Sequence, residues 1–184
     1  TALTGSSDAL QANDIDVEAL QAFFKGQALT AGSSGWLAES FVLDQDNLDG
    51  MINYESVLLG LNESKELKEP LVLIYPQEGI ITADYPLMLL DSAKRQAYDR
   101  MVEFIRSPDF QSKLMKTTLR RPVVPGIPLD RRIPDTLLIE LPFPNTVEVI
   151  DALLFSYLDE QRIPSHTFFV LDVSGSMDGE GLRD

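Results

Sequence analysis

The chain has no cysteine and only one histidine, His166. The lack of cysteine excludes disulfides, thiolate metal ligands and cysteine nucleophiles from its 184 residues. One histidine cannot supply a histidine-rich zinc site. A serine hydrolase built on Ser33 or Ser176 would have to recruit His166, and no catalytic motif surrounds that residue. We therefore expect a protein that is not an enzyme.

Basic residues are scarce, with 15 Lys and Arg against 29 Asp and Glu and a formal net charge of -14. Nucleic-acid binding needs clustered Lys and Arg to neutralise phosphates, so we expect no nucleic-acid partner. No apolar run reaches the roughly 20 residues of a membrane span, and no signal peptide opens the chain. The abrupt first and last residues lead us to expect a fragment of a longer protein, so these two absences carry little weight.

Apolar spacing predicts both helices and strands along the chain. Helices are predicted after Asp14 or Asp16, after Ser107, and at residues 36–43, 55–61, 93–105 and 147–161. Strands are predicted at residues 51–54, 70–75, 80–83, 87–90 and 137–141, and from Thr167 onward. Strands separated by helices at short intervals predict an α/β architecture.

The most specific pattern is Asp-x-Ser-x-Ser, formed by Asp172, Ser174 and Ser176. It follows an apolar run at residues 168–171, which predicts a buried strand ending at a carboxylate and two hydroxyls. Three hard oxygen ligands suit Mg²⁺ or Mn²⁺ and leave coordination positions open for a partner's carboxylate. The alternative is a hydrogen-bonded turn that binds no metal.

A second polar pattern is the Gly-Ser-Ser-Gly sequence at residues 32–35, directly before a predicted helix. Free N–H groups and the helix dipole at such a turn can hold an anion or another polar ligand. An ordinary loop with good helix caps is the alternative interpretation.

The Asp-x-Ser-x-Ser pattern resembles the first loop of the metal-ion-dependent adhesion site in the von Willebrand factor A domain. The resemblance implies that Asp172, Ser174 and Ser176 hold Mg²⁺ or Mn²⁺ in the intact parent protein. It also implies a protein or peptide partner that binds the ion through a carboxylate. The family uses a further Thr and Asp from later loops, which would follow Asp184, so we expect no ion in the fragment itself.

The first 130 residues resemble part of a type II periplasmic solute-binding protein. The stretches that carry the resemblance are residues 32–35, 49–55, 71–79, 83–86, 107–111 and the pair Arg121-Pro122. The resemblance implies a three-layer α/β sandwich, with the truncated first strand of a von Willebrand factor A domain at its C-terminus. It further implies a ligand cleft lined by Ser33, Ser34, Tyr54 and Glu55.

Together these patterns predict three regions. Residues 1–130 are the partial solute-binding-like region, residues 131–164 a proline-rich connection with a linker helix, and residues 165–184 the start of the von Willebrand factor A domain. Bacterial proteins with this arrangement usually lie outside the cytoplasmic membrane, so the resemblance implies the periplasm or cell surface and allows a membrane anchor in the parent. We expect metal-dependent partner binding or adhesion; the alternative is capture of a small molecule or anion by the solute-binding-like lobe.

Overall fold

A computed structural model describes residues 11–83, 85–144, 146–164 and Phe168. Six α-helices occur in these ranges: α1 (Val17–Phe24), α2 (Ser34–Leu43), α3 (Glu55–Ser64), α4 (Arg95–Ile105), α5 (Pro108–Thr118) and α6 (Val147–Ser156). A 3₁₀ turn, Ala12–Asp14, precedes α1, another, Ser92–Lys94, precedes α4, and a π-helical turn, Tyr157–Gln161, continues α6. No helix in the described ranges is long and apolar enough to cross a bilayer.

The predicted helices are confirmed, and their first residues show why they begin where they do. The Asp16 carboxylate accepts a hydrogen bond from the Ala19 backbone N–H at 2.9 Å, which caps α1. Ser107 caps α5 in the same way, and Pro108 occupies the first helical position, where a backbone donor is not needed. Local capping chemistry was therefore sufficient to locate these helix starts.

The predicted α/β three-layer sandwich is wrong. The structure is 46% helical and has no sheet in the part of the chain that it describes. The single β-pairing there is an isolated parallel bridge between Ile80 and Glu140. Ile80 donates its N–H to the Ile139 carbonyl, and Leu141 donates to the Ile80 carbonyl, each at 2.8 Å. The described fold is mostly helical, and the strands predicted between residues 51 and 141 are irregular connections there.

Prolines explain part of this difference. Pro70 and Pro76 bound one predicted strand, Pro86 precedes another, and Pro142 follows a third. Proline has no backbone N–H, so it cannot donate to a ladder where its nitrogen would face a neighbouring strand. A strand pattern also specifies which face is buried but not which neighbour accepts its hydrogen bonds.

The bridge depends on a glycine beside it. Gly79 has φ +129°, a conformation that L side chains rarely adopt. A Cβ at this position would lie 2.7 Å from the Ile139 carbonyl oxygen and 2.8 Å from a Leu141 side-chain carbon. The close approach of the two segments is therefore possible only because residue 79 has no side chain.

The main core lies between α3, α5 and the proline-rich segment after α5. Its buried residues are Leu59, Met115, Leu119 and Ile133. Leu73, Ile127 and Leu129 pack against them. Leu119 ends α5 in a left-handed conformation, which turns the following segment back across the two helices. The segment after α5 thus contributes directly to the core.

A second cluster joins the two ends of the described chain. Phe24 of α1 and Tyr157 of the π-helical turn pack edge to face, with ring centroids 4.9 Å apart. The Gln21 side-chain amide donates to the Glu160 carbonyl at 2.9 Å. Because Ile133 lies in the main core and α6 with its turn packs on α1, residues from the predicted connection 131–164 contact the region before it.

Candidate functional site

The helix-start site is the surface where the first turns of α2 and α3 meet. Asn53 joins them: its side-chain amide donates to the Ser34 carbonyl at 2.9 Å, and its amide oxygen accepts from the Tyr54 backbone N–H at 2.8 Å. Ser33 caps α2 by accepting from the Trp36 N–H at 3.1 Å. Because Tyr54 directly precedes α3, which begins at Glu55, the structure brings together all four residues predicted for a ligand cleft.

Glu55 accepts hydrogen bonds from Arg121 and Tyr75, and we call these three residues the Glu55 network. Arg121 donates to both carboxylate oxygens of Glu55, at 2.8 and 2.9 Å, and also to the Pro134 carbonyl at 2.8 Å. Tyr75 donates its hydroxyl proton to the same carboxylate at 2.6 Å. The side chains of Arg121 and Glu55 are only 24% and 19% exposed. The network therefore ties α3, the extended segment containing Tyr75, and the chain after α5 into one unit.

The electrostatics of the Glu55 network favour an ionised carboxylate. Burial by itself raises the pKa of Glu55, but the hydrogen bonds from Arg121 and Tyr75 and the charge of Arg121 outweigh it, so the pKa is lowered. Burial, followed by the hydrogen bond to Glu55, raises the pKa of Tyr75 to about 12. The hydrogen bond to Glu55 likewise raises the pKa of Arg121. With both oxygens engaged, the Glu55 carboxylate positions the site rather than facing a ligand.

Tyr54 belongs to an outer group with Tyr85 and Arg120. The neighbouring Tyr85 side chain is the largest cause that raises the pKa of Tyr54, while the charge of Arg120 acts in the opposite direction. The Arg120 guanidinium lies 5.5 Å from the centroid of the Tyr85 ring, in a cation–π arrangement. Tyr54 and Tyr85 are 42% and 72% exposed, so this group faces solvent.

Residues that are adjacent in sequence belong to different groups of side chains, either the Glu55 network or the outer group. Glu55 and Arg121 point inward to each other, whereas their neighbours Tyr54 and Arg120 take part in the outer group. Arg120 forms no ion pair with a carboxylate anywhere in residues 11–164 that the structure describes. A cation beside two phenols can attract an anion or stack on a planar ligand.

Sequence reasoning missed Tyr75, Tyr85 and Arg120 as parts of this site. Arg121 was noted only as half of an Arg-Pro pair, and its partner Glu55 is 66 residues away in sequence. No local signal links residues at that separation, because the pairing depends on how α3 and α5 pack. The only part of the network that the sequence indicated was Glu55, as an acidic residue in the first turn of a predicted helix.

The predicted metal ligands Asp172, Ser174 and Ser176 lie outside the residues that the structure describes, as does His166. Within the described residues, no group of three or more His, Asp or Glu side chains could hold a metal ion. The Asp-x-Ser-x-Ser sequence therefore stays a prediction from sequence alone. Its donor set, a carboxylate and two hydroxyls, fits Mg²⁺ or Mn²⁺.

Comparisons with protein-family models, curated proteins and solved structures find no match to this chain.

Proposed function

We propose that the native protein is a non-enzymatic binding protein that acts outside the cytoplasmic membrane and captures a protein or peptide partner through a divalent ion. Asp172, Ser174 and Ser176 would hold Mg²⁺ or Mn²⁺, and a carboxylate of the partner would fill an open coordination position. The observation that carries the proposal is the Asp-x-Ser-x-Ser sequence directly after an apolar run at residues 168–171. A metal would be required because the Asp172 carboxylate and the partner's carboxylate repel each other unless a cation lies between them.

Metal binding by the native protein tests this proposal. Mn²⁺ titration followed by electron paramagnetic resonance should show a site that is lost in Asp172→Asn and retained in the matched control Asp178→Asn. Binding of a peptide that contains a carboxylate should disappear with EDTA and return with excess Mg²⁺. Peptide binding that is insensitive to chelator, or Mn²⁺ binding that survives Asp172→Asn, would overturn the proposal.

A second candidate function is capture of a small anionic or planar ligand at the helix-start site. Two observations favour it: Asn53 joins the first turns of α2 and α3, and Arg120, which forms no ion pair with a described residue, lies beside Tyr54 and Tyr85. A ligand that binds only the native state raises thermal stability, so a thermal-shift screen can use phosphate, acetate and benzoate as probes. Arg120→Gln should remove any shift, whereas the matched surface variant Arg106→Gln should retain it. A shift that survives Arg120→Gln, or no shift with any probe, would contradict this second function.

A further inference from the structure

Helix α4 presents part of its apolar stripe to solvent. Of the six α-helices in the described part of the chain it is the most strongly amphipathic. Val102 and Ile105 are half-buried, whereas Met101 and Phe104 are 53% and 62% exposed. Met101 lies one helical turn before Ile105 and three residues before Phe104, so the exposed pair continues the same stripe. The helix therefore covers one side of its apolar stripe and leaves the other side open.

The segment before α4 adds further exposed apolar side chains beside it. The Tyr98 hydroxyl donates to the Leu87 carbonyl at 2.8 Å, which holds this segment next to the helix. Met88 and Leu90 of the segment are 69% and 92% exposed. Side chains as exposed as these project from the surface. A folded protein partner would need a matching cavity for each of them, whereas the fluid boundary of a bilayer admits them without one.

Basic residues border the exposed pair of α4 in a chain that is otherwise acidic. Residues 92–106 contain four Lys or Arg and two Asp or Glu, whereas the whole chain has a net charge of -14. Arg100 lies about 40° from Phe104 around the helix, and the acidic Glu103 lies about 100° away. Lys94 directly precedes the helix. Arg100 and Lys94 are both exposed and form no ion pair in the described part of the chain.

We propose that the α4 face, formed by Met101 and Phe104 with Lys94 and Arg100 at its border, docks on an anionic lipid bilayer. The apolar pair enters the boundary between headgroups and acyl chains, and the two cations lie at the level of the lipid phosphates. An apolar strip bordered by Lys and Arg is the pattern of helices that lie in the plane of a membrane surface. A second copy of the chain fits this face less well, because pairing the face with itself brings like charges together.

Ionic strength decides whether the local positive charge or the negative charge of the whole chain dominates. At about 0.1 M salt the Debye length is about 10 Å, so an anionic surface interacts mainly with the face that touches it. At about 1 M salt the Debye length falls to about 3 Å, and the attraction of Lys94 and Arg100 is screened. We therefore expect binding at about 0.1 M salt and weaker binding at about 1 M.

Co-sedimentation with lipid vesicles tests the proposal. At about 0.1 M salt, with EDTA present, the protein should bind vesicles of phosphatidylglycerol at least about tenfold more tightly than vesicles of phosphatidylcholine. About 1 M salt should remove most of this difference. Equal binding to the two lipids, or no binding to phosphatidylglycerol, would overturn the proposal.

Apolar variants test whether α4 makes the contact. Phe104→Ser and Met101→Ser should each weaken binding to phosphatidylglycerol vesicles severalfold, because each removes apolar surface from the bilayer. The matched control Phe143→Ser replaces an equally exposed ring, 64% exposed, elsewhere in the chain and should bind as the wild type does. Circular dichroism confirms that each variant is folded. Unchanged binding by both folded α4 variants would overturn the proposal.

A charge variant tests the border of the face. Arg100→Glu should weaken binding to phosphatidylglycerol vesicles about tenfold, because it reverses a charge next to the lipid phosphates. Arg131→Glu makes the same change at an exposed arginine outside α4 and should have a much smaller effect. Equal losses in the two variants would show that only the total charge of the protein matters, which would overturn the proposal.

The absence of cysteine permits a direct test of burial in the bilayer. An environment-sensitive fluorophore on Met101→Cys should shift to shorter wavelength when phosphatidylglycerol vesicles are added. The same fluorophore on Leu137→Cys, at a position that is 88% exposed outside α4, should not shift. A shift at Leu137→Cys alone would contradict the proposal. All these measurements contain EDTA, so their failure would not affect the proposed metal-dependent function.

Discussion

The α3–α5 region and helix α4 are both amphipathic in sequence, yet only the first has an interior. Met115 of α5 is 1% exposed and lies in the main core. No residue of α4, all of which the structure describes, is buried, and Met101 and Phe104 are 53% and 62% exposed. An apolar stripe thus indicates which face can pack. Whether it does pack depends on a complementary surface elsewhere in the chain.

The ion pairs of the two regions differ in the same way. Arg121 donates two hydrogen bonds to Glu55, and both side chains are largely buried. Arg95 reaches Asp99 along α4 at 3.4 Å, with side chains 64% and 59% exposed. Solvent screening and side-chain entropy leave an exposed pair little net stabilisation, whereas a half-buried bidentate pair retains more. The first pair joins α3 to the chain after α5, whereas the second joins two residues of the same helix.

The largest difference is expected for methionine truncation. Met115→Ala should lower the free energy of unfolding by about 2–5 kcal/mol, because it leaves a cavity in the core. Met101→Ala in α4 makes the same chemical change on an exposed face and should cost less than about 0.5 kcal/mol. Urea unfolding followed by circular dichroism measures both. Similar costs for the two variants would show that the regions are not packed differently.

A smaller difference is expected for the two ion pairs. Arg121→Ala leaves the Glu55 carboxylate without its main partner and should cost about 1–3 kcal/mol. Arg95→Ala should cost less than about 0.5 kcal/mol. A double-mutant cycle with Glu55→Gln isolates the coupling between Glu55 and Arg121. Additive effects in that cycle would refute the Glu55 network.

The pH dependence of stability provides a third way to separate the regions. Because the folded-state pKa of Glu55 is lowered from its usual 4.5, its contribution is present above that pH and is lost as the pH falls through the folded-state pKa. Wild-type protein should therefore lose stability more steeply below pH 4.5 than the Glu55→Gln variant. Unfolding midpoints of both proteins are measured across the acid range. If the ionised Glu55 carboxylate were not specifically stabilised, the plots of midpoint against pH for the wild type and Glu55→Gln would be parallel.

The smallest effect is expected at alkaline pH. The pKa of Tyr75 is raised from 10.0 to about 12, so the contribution of its neutral hydroxyl is complete below pH 10.0 and is lost as the pH rises through about 12. Absorbance of the phenolate should show one tyrosine that titrates near pH 12, and Tyr75→Phe should remove that step. If the step remained in Tyr75→Phe, another tyrosine would be responsible for it.

Helix positions were predictable from the sequence because their signals are local. Asp16 and Ser107 cap helices within three residues of themselves, and the stripe of α1 lies within eight residues. Ser33 and Tyr54 directly precede α2 and α3, so their places at helix starts also follow from local sequence. These parts of the fold needed no knowledge of distant contacts.

The absent sheet and the Glu55 network were not predictable in this way. The apolar block at residues 70–75 predicted a strand, but it could not show that no strand would lie beside it in the described part of the chain. Likewise, the pairing of Glu55 with Arg121 exists because α3 and α5 share a core. Both features depend on partners that are distant in sequence, where local pattern carries no information.

Hydrogen exchange tests the comparison between the two regions most directly. Amides of α5 (Pro108–Thr118) should exchange at least about tenfold more slowly than those of α4 (Arg95–Ile105), because opening α5 also exposes the core around Met115. Equal protection in the two helices, or slower exchange in α4, would contradict the account.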